Sequence, residues 1–279
     1  MRLQITLTVP EGKRVIAKGI SSLPAVTSAL EVGNIFLKGG TTVSAVCEEL
    51  TGKPMSILGR ISARGAVTAR TNPGKYHCAL IEMGKLIDAD SSLDSAVEKL
   101  GPSDVVIIGA NALDSMGNAA MMYGASMGGP PGRIISGLMA ECRNIIVAVG
   151  QEKLIPGSLP DIIQKTSRKS VDRSLGMAVG LTPVVGRIVT EVESILALAD
   201  VDCFVIGRGG ISGGEGAITL VIDGSPKDVM RLDRLIARIK GSTTSGMPQT
   251  LAECEPPCPS CAKHLACTYK AAGRERTKE

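Results

Sequence analysis

Aromatic side chains are nearly missing from this 279-residue chain, which has no Trp, two Phe and three Tyr. With so few rings to stack on bases, and no basic stripe, a net charge of +4 does not imply nucleic-acid binding. The core is left to Ile, Val, Leu, Met and Ala. No apolar run reaches the length of a bilayer span, so the chain does not read as a membrane protein. Residues 1–9 alternate like a strand and lack the apolar centre of a secretory signal, which makes export unexpected. Histidine is scarce too: there are two, and His77 has no obvious Ser or Cys partner in the sequence, so a hydrolytic triad has no positive support. Cys47, Cys78, Cys142 and Cys203 lie singly in apolar segments, as small buried hydrophobes do. A reducing cytoplasm is the expected compartment.

Short β-branched runs alternate with longer helical patterns, which predicts an α/β protein with a mostly parallel, Rossmann-like sheet covered on both faces. Buried strands are expected at Asn34-Ile35-Phe36-Leu37, Asp104-Val105-Val106-Ile107-Ile108, Asn144-Ile145-Ile146-Val147-Ala148-Val149 and Cys203-Phe204-Val205-Ile206. Helices are expected over residues 42–50, 92–100 and 131–142, the last opening on Pro131. From about Leu181 the order reads strand, helix (187–200), strand, strand (217–222), helix (226–240), which suggests a ferredoxin-like lobe. The expected organisation is a core over 1–180, a segment over 181–241 that completes the core or forms that lobe, and a linker and Cys-rich tail over 242–279. The linker Gly241-Ser-Thr-Thr-Ser-Gly246 has the composition of a flexible hinge.

The tail carries the clearest chemical signal. Cys254, Cys258, Cys261 and Cys267 follow a C-x3-C-x2-C-x5-C spacing in a Pro-rich loop, with His264 among them. Thiolates this close can wrap a cubane iron–sulfur cluster or one tetrahedral zinc. Cys258-Pro259 has the Cys-Pro step common beside iron–sulfur ligands, and His264 can replace one thiolate on zinc. A reduced or disulfide-forming tail is the alternative. Such a tail can also meet a protein partner, and a homodimer is the other assembly considered.

Two of the three glycine-rich loops are read directly from the residues. In Leu37-Lys38-Gly39-Gly40-Thr41-Thr42-Val43, paired glycines between a strand and a helix let backbone amides approach an anion, with phosphate the natural one. Thr41 or Thr42 can cap the helix, and Lys38 supplies charge. The loop 207–216 places Gly209, Gly210, Gly213 and Gly214 around Glu215, a candidate nucleophile or base. Its alternative is a wide β-hairpin with Glu215 solvated. Asp88, Asp90, Glu191 and Glu193 read as exposed charges.

The remaining loop, Gly109-Ala110-Asn111-Ala112-Leu113-Asp114-Ser115-Met116-Gly117-Asn118-Ala119-Ala120-Met121-Met122-Tyr123-Gly124 after its strand, resembles a segment of one enzyme family. That family contains the methylthioribose-1-phosphate isomerases and the regulatory subunits of the eukaryotic initiation exchange factor, within the sugar-phosphate isomerase and CoA-transferase-like superfamily. The isomerase segment reads G-A-D-R-I-x-x-N-G-D-x-A-N-K-x-G, which sets Asn111 at the catalytic aspartate and Asn118 at a second acidic position. Met121-Met122 falls at the Asn-Lys pair. The resemblance extends to residues 144–153, where Lys153 matches a lysine-bearing loop, and covers about the middle third of the chain. The Gly-Gly-Thr-Thr loop is similar to the phosphate-binding turn of ribose-5-phosphate isomerases, and Glu215 to a CoA-transferase glutamate. The resemblance implies a Rossmann-like fold and an isomerase or transferase for a phosphorylated, nucleotide-bearing or CoA-type ligand, with Asn111, Asp114, Lys153 and Glu215 as catalytic candidates. Gly109, Gly117 and Asn118 join the ligand-binding set. An amide at Asn111 cannot act as a general base, which keeps a non-catalytic ligand-sensing or assembly protein as the alternative.

Overall fold

The computed structural model describes residues 1–69, 76–255, 261 and 263–270. Its centre is a mixed six-stranded sheet in the order Arg187–Val189, Asn144–Ala148, Val105–Gly109, Asn34–Lys38, Cys78–Glu82, Lys85–Asp88. The first four strands run parallel, and the last two form an antiparallel edge. The sheet is therefore mixed, where the sequence predicts a mostly parallel one. The difference arises because residues 78–88 return as a tight hairpin, which needs no crossover helix.

The central strands are apolar at successive positions because both faces are covered. Ile35, Leu37, Val105 and Ile107 pack on one side against Ile16, Ile20, Val26, Val43 and Val46. Phe36, Val106, Ile108 and Val147 pack on the other against Leu93, Val97, Ile135 and Leu138. Helix Val9–Ser21 begins where the Thr8 amide donates to Glu11, which also accepts from Lys240 Nζ (2.7 Å) and the Gly241 amide (2.8 Å).

A second, three-stranded antiparallel sheet has the order Arg2–Leu7, Ala217–Gly224, Val201–Gly209. Leu7, Leu220 and Ile222 pack against Val15, Ile195, Leu232 and Ile236 from the covering helices Val9–Ser21, Glu191–Leu198 and Pro226–Ile239. The N-terminal strand thus pairs with the late part of the chain. The helix expected from residue 187 starts at Glu191, because Thr190 and Glu193 form a capping box and the preceding residues extend the central sheet. Strands Gly180–Val184, Ala119–Tyr123 and Ala112–Leu113 form a third small sheet, and Gly59–Ser62 pairs with Gly65–Thr68. No single helix among the described residues is long and apolar enough to cross a membrane.

The stretch expected as a flexible hinge is docked. Ser245 is buried and its hydroxyl lies 2.8 Å from both the Ser44 hydroxyl and Glu48 Oε2. The Met247 amide donates to the Met55 carbonyl, and the Ile57 amide donates to the Thr250 hydroxyl. Truncation after Gly241 removes these four hydrogen bonds and uncovers Met55 and Ile57. At about 1 kcal/mol per bond and about 2–4 °C per kcal/mol, Tm should fall by roughly 5–15 °C in a calorimetric scan. An unchanged Tm would return the segment to a hinge.

Candidate functional site

The parallel strands Asn34–Lys38 and Val105–Gly109 end at a cavity of about 400 Å³. Ligands in open α/β sheets bind at this end of the strands. Four cationic side chains reach its wall, Lys13, Lys38, Arg60 and Lys153, and among the described residues no carboxylate lines it. Gly39, Gly40, Thr41, Thr42, Gly109 and Asn111 share that wall with His77 and Tyr123.

The Gly39 amide donates to the His77 carbonyl at 2.8 Å, and a Cβ at Gly39 would lie 2.2 Å from that oxygen. Only glycine lets the two segments come this close. Gly40 differs, because a Cβ there meets nothing within 4 Å. It is also the N-cap of helix Thr41–Thr51, and no side chain caps that helix. Neither Thr41 nor Thr42 is the expected cap; both lie inside the first turn. The first-turn amides therefore have neither a helical acceptor nor a side-chain cap, which is the arrangement that receives an anion.

Lys38 is buried without a carboxylate. Its Nζ lies 3.3 Å from Met121 Sδ and 5.4 Å from the Tyr123 ring centroid, and burial lowers its pKa. Lys153 donates to the Ala110 carbonyl at 2.9 Å, and burial lowers its pKa too. Burial, then the Lys153 charge, brings Lys13 down to about 8, while Glu152 and Glu191 oppose that shift. Behind these lysines Glu191 is only 2% exposed and accepts from the Gln151 amide at 2.9 Å. Burial, then the Glu152 charge, pushes the Glu191 carboxyl up to about 7. Oε1 of Glu152 is buried with no hydrogen-bond partner among the described residues. Glu191 is thus a buried carboxyl, where the sequence reads as an exposed charge.

The other candidates fall elsewhere. Asn111 lines the cavity, but its side-chain oxygen accepts from the Met122 amide at 3.0 Å and so holds the hairpin. Asp114, Gly117 and Asn118 form the tip of that hairpin, outside the cavity wall. Burial opposes ionisation of Asp114, yet donors from Leu159, Asn118 and Met116 together bring it down to about 2. A carboxylate so fully satisfied is a structural fastener and no base. Gly209, Gly210, Gly213, Gly214 and Glu215 belong to an exposed loop between strands Val201–Gly209 and Ala217–Gly224, away from the cavity. A Cβ at Gly210 would lie within bonding distance of the Gly214 carbonyl, so the glycines serve the turn. Glu215 accepts from the Gly213 amide at 2.9 Å, which makes this the wide hairpin and removes Glu215 as a nucleophile for the cavity.

Cys254 and Cys261 are buried in one cluster with Val67, and Cys267 and His264 are buried as well. His264 Nε2 lies 2.9 Å from the Thr68 hydroxyl. Cys258 lies outside the described residues. Among the described residues no set of three or more His, Cys, Asp or Glu side chains is arranged to hold a metal. Sequence reasoning missed the pairing of His77 with Asp90, whose Nδ1 and Oδ2 are 2.9 Å apart. No local spacing signals it, because the two are thirteen positions apart with a hairpin between them.

A carboxyl raised to about 7 holds its proton in the fold where the unfolded chain has released it, so stability declines as pH climbs from the ordinary carboxylate range toward 7. Glu191→Gln keeps an acceptor for the Gln151 amide and removes the ionisation. Its Tm should exceed that of the wild type at about pH 8 and lose this advantage at about pH 5. A difference that stays constant across that window would sink the assignment.

A scan against protein-family models finds no match for this chain, and a search of curated proteins finds none either.

Proposed function

We propose that the chain is an enzyme acting on a small phosphorylated metabolite, with the phosphate at Gly39, Gly40, Thr41 and Thr42 and the remainder in the cavity. One observation carries the reading: buried Lys38 and an uncapped helix N-terminus face the same cavity, and no carboxylate among the described lining residues neutralises them. A phosphate supplies both the missing counter-charge and the missing acceptors. A volume of about 400 Å³ is at the small end for ligand pockets, which suits a sugar phosphate and leaves the bulk of a nucleotide or CoA-type ligand outside. The parallel strands, with helices on both faces, support a Rossmann-like reading of the core, and isomerase or transferase chemistry is consistent with the resemblance of residues 104–124. A ligand-sensing protein is the second reading. It is favoured by Asn111, which has no basic atom and whose oxygen is already committed to Met122.

A thermal-shift screen of inorganic phosphate, sugar phosphates, nucleotides and CoA tests the proposal. Gly40→Val fits the ligand-free fold, because nothing lies within 4 Å of its Cβ, yet it blocks approach to the amides. Charge-assisted hydrogen bonds worth about 1.5–3 kcal/mol each imply at least about tenfold weaker binding. Equal stabilisation of wild type and Gly40→Val by phosphorylated ligands would reduce the loop to a turn.

For the tail we propose iron–sulfur or zinc ligation by Cys254, Cys258, Cys261 and Cys267, supported by their spacing and by the shared burial of Cys254 and Cys261. Protein purified without oxygen should carry iron and sulfide, or stoichiometric zinc, and Cys261→Ser should lower that content. Metal-free protein whose Tm ignores a chelator would remove the claim.

A further inference from the structure

His77 is 9% exposed, lines the cavity, and has a ring Nε2 that is buried without a hydrogen-bond partner among the described residues. Buried polar atoms are rarely left so, because an unmade hydrogen bond leaves the loss of hydration uncompensated. The opposite ring nitrogen is firmly held. Asp90 Oδ2 accepts from the His77 amide at 3.0 Å and lies 2.9 Å from Nδ1, while Oδ1 accepts from the Cys78 amide at 2.8 Å. Three donors converge on one carboxylate, and they hold its pKa below the ordinary value although burial alone would raise it. An ionised carboxylate can only accept, so Nδ1 carries a proton, which leaves Nε2 as the ring atom that can present a lone pair to the cavity. Among the described residues, the charged or titratable groups around this pair are Lys38, Cys78 and Asp88. Lys38 shares the cavity wall, the Cys78 thiol is raised to about 12 by burial, and Asp88 is occupied by the Tyr76 and Asp90 amides.

We infer that His77 is the proton-transfer residue of this cavity, with Asp90 as its positioning residue, and that the substrate is a phosphorylated metabolite with an acidic C–H, on a hydroxyl-bearing carbon, beside a carbonyl. The inference rests on the phosphate reading of the Gly39 to Thr42 loop. The two are physically joined, since the Gly39 amide donates to the His77 carbonyl. In the step, the substrate X–H bond breaks, its electron pair stays on X, and the proton forms a new bond to Nε2. Asp90 stabilises the imidazolium, and Lys38, Lys13 and Lys153 face the negative charge left on the substrate. Return of that proton from Nε2 to the former carbonyl carbon, while the neighbouring hydroxyl gives its proton to the former carbonyl oxygen and becomes the new C=O, completes an isomerisation with no oxidant or cofactor. It supplies the base that Asn111 cannot be.

The test is long-range ¹H–¹⁵N correlation on ¹⁵N-labelled full-length protein, in which the only other histidine is His264. His77→Gln assigns the signals. Near neutral pH the His77 ring should show a protonated Nδ1 and an unprotonated Nε2. Saturating ribose 5-phosphate should move that Nε2 upfield and raise Tm, with a smaller response at His264, and Gly40→Val should weaken both effects at least about tenfold. Asp90→Asn should mix the two ring tautomers, a change that a purely structural role for Asp90 does not predict; if that variant fails to fold, the wild-type spectra still decide. A protonated Nε2 in the free protein, or an Nε2 unmoved while ribose 5-phosphate raises Tm, overturns the role of His77 and leaves the phosphate reading standing. No rise in Tm with either inorganic phosphate or ribose 5-phosphate overturns both.

Discussion

The end of strand Asn34–Lys38 lies so close to residue 77 that position 39 has no room for a side chain, a Cβ there falling 2.2 Å from the His77 carbonyl. Much of the site depends on this one approach. It continues the antiparallel pairing of Lys38 with Cys78, keeps Lys38 facing Met121, and starts helix Thr41–Thr51 immediately afterwards. It also places the His77 ring on the wall that carries the Gly39 and Gly40 amides. A larger residue at 39 would separate the strand end from its partner and disperse these groups together.

The electrostatics of the cavity are unbalanced by construction. Removing an ammonium from water is expensive unless an anion accompanies it, and lysines so placed respond by losing proton affinity. Lys38 does so beside a sulfur and a tyrosine ring, with only the Cys78 thiol opposing the shift and no carboxylate among the described residues of the wall. Lys13 and Lys153 have Glu152 and Glu191 behind them, and Glu191 itself stays partly protonated near neutrality. The positive potential of the wall is offset only from behind, by Glu152 and Glu191, and no carboxylate among the described residues lines the cavity itself.

Distant parts of the chain close this arrangement. The N-terminal strand completes the sheet of residues 201–224, and Lys240 reaches Glu11 at 2.7 Å. Thr244 and Leu251 contribute to the cavity wall itself, so the segment after Gly241 belongs to the site as well as to the fold. Such nonlocal closure makes Arg2–Leu7 the third strand of the sheet that residues 201–224 begin.

Local sequence determined what depends on neighbours along the chain. Continuous apolar runs within 34–38, 105–109 and 144–148 have one low-energy solution, a strand buried on both faces, and all three are strands. Gly39 to Thr42 announced a strand-to-helix turn, and Lys38, Gly109, Asn111 and Lys153 share its cavity wall. Tertiary structure decided the rest. Asp90 becomes the partner of His77 only after the 78–88 hairpin folds back, and Glu191 is buried only because helices Val9–Ser21 and Glu191–Leu198 pack together, leaving a Cβ at Gly12 just 2.5 Å from its Oε1. The glycines of 207–216 looked like a ligand loop because composition reports backbone freedom and not what the freedom is used for; the sheet they connect points them at solvent. Burial and charge pairing are properties of surfaces brought together across the chain, and no local spacing encodes them.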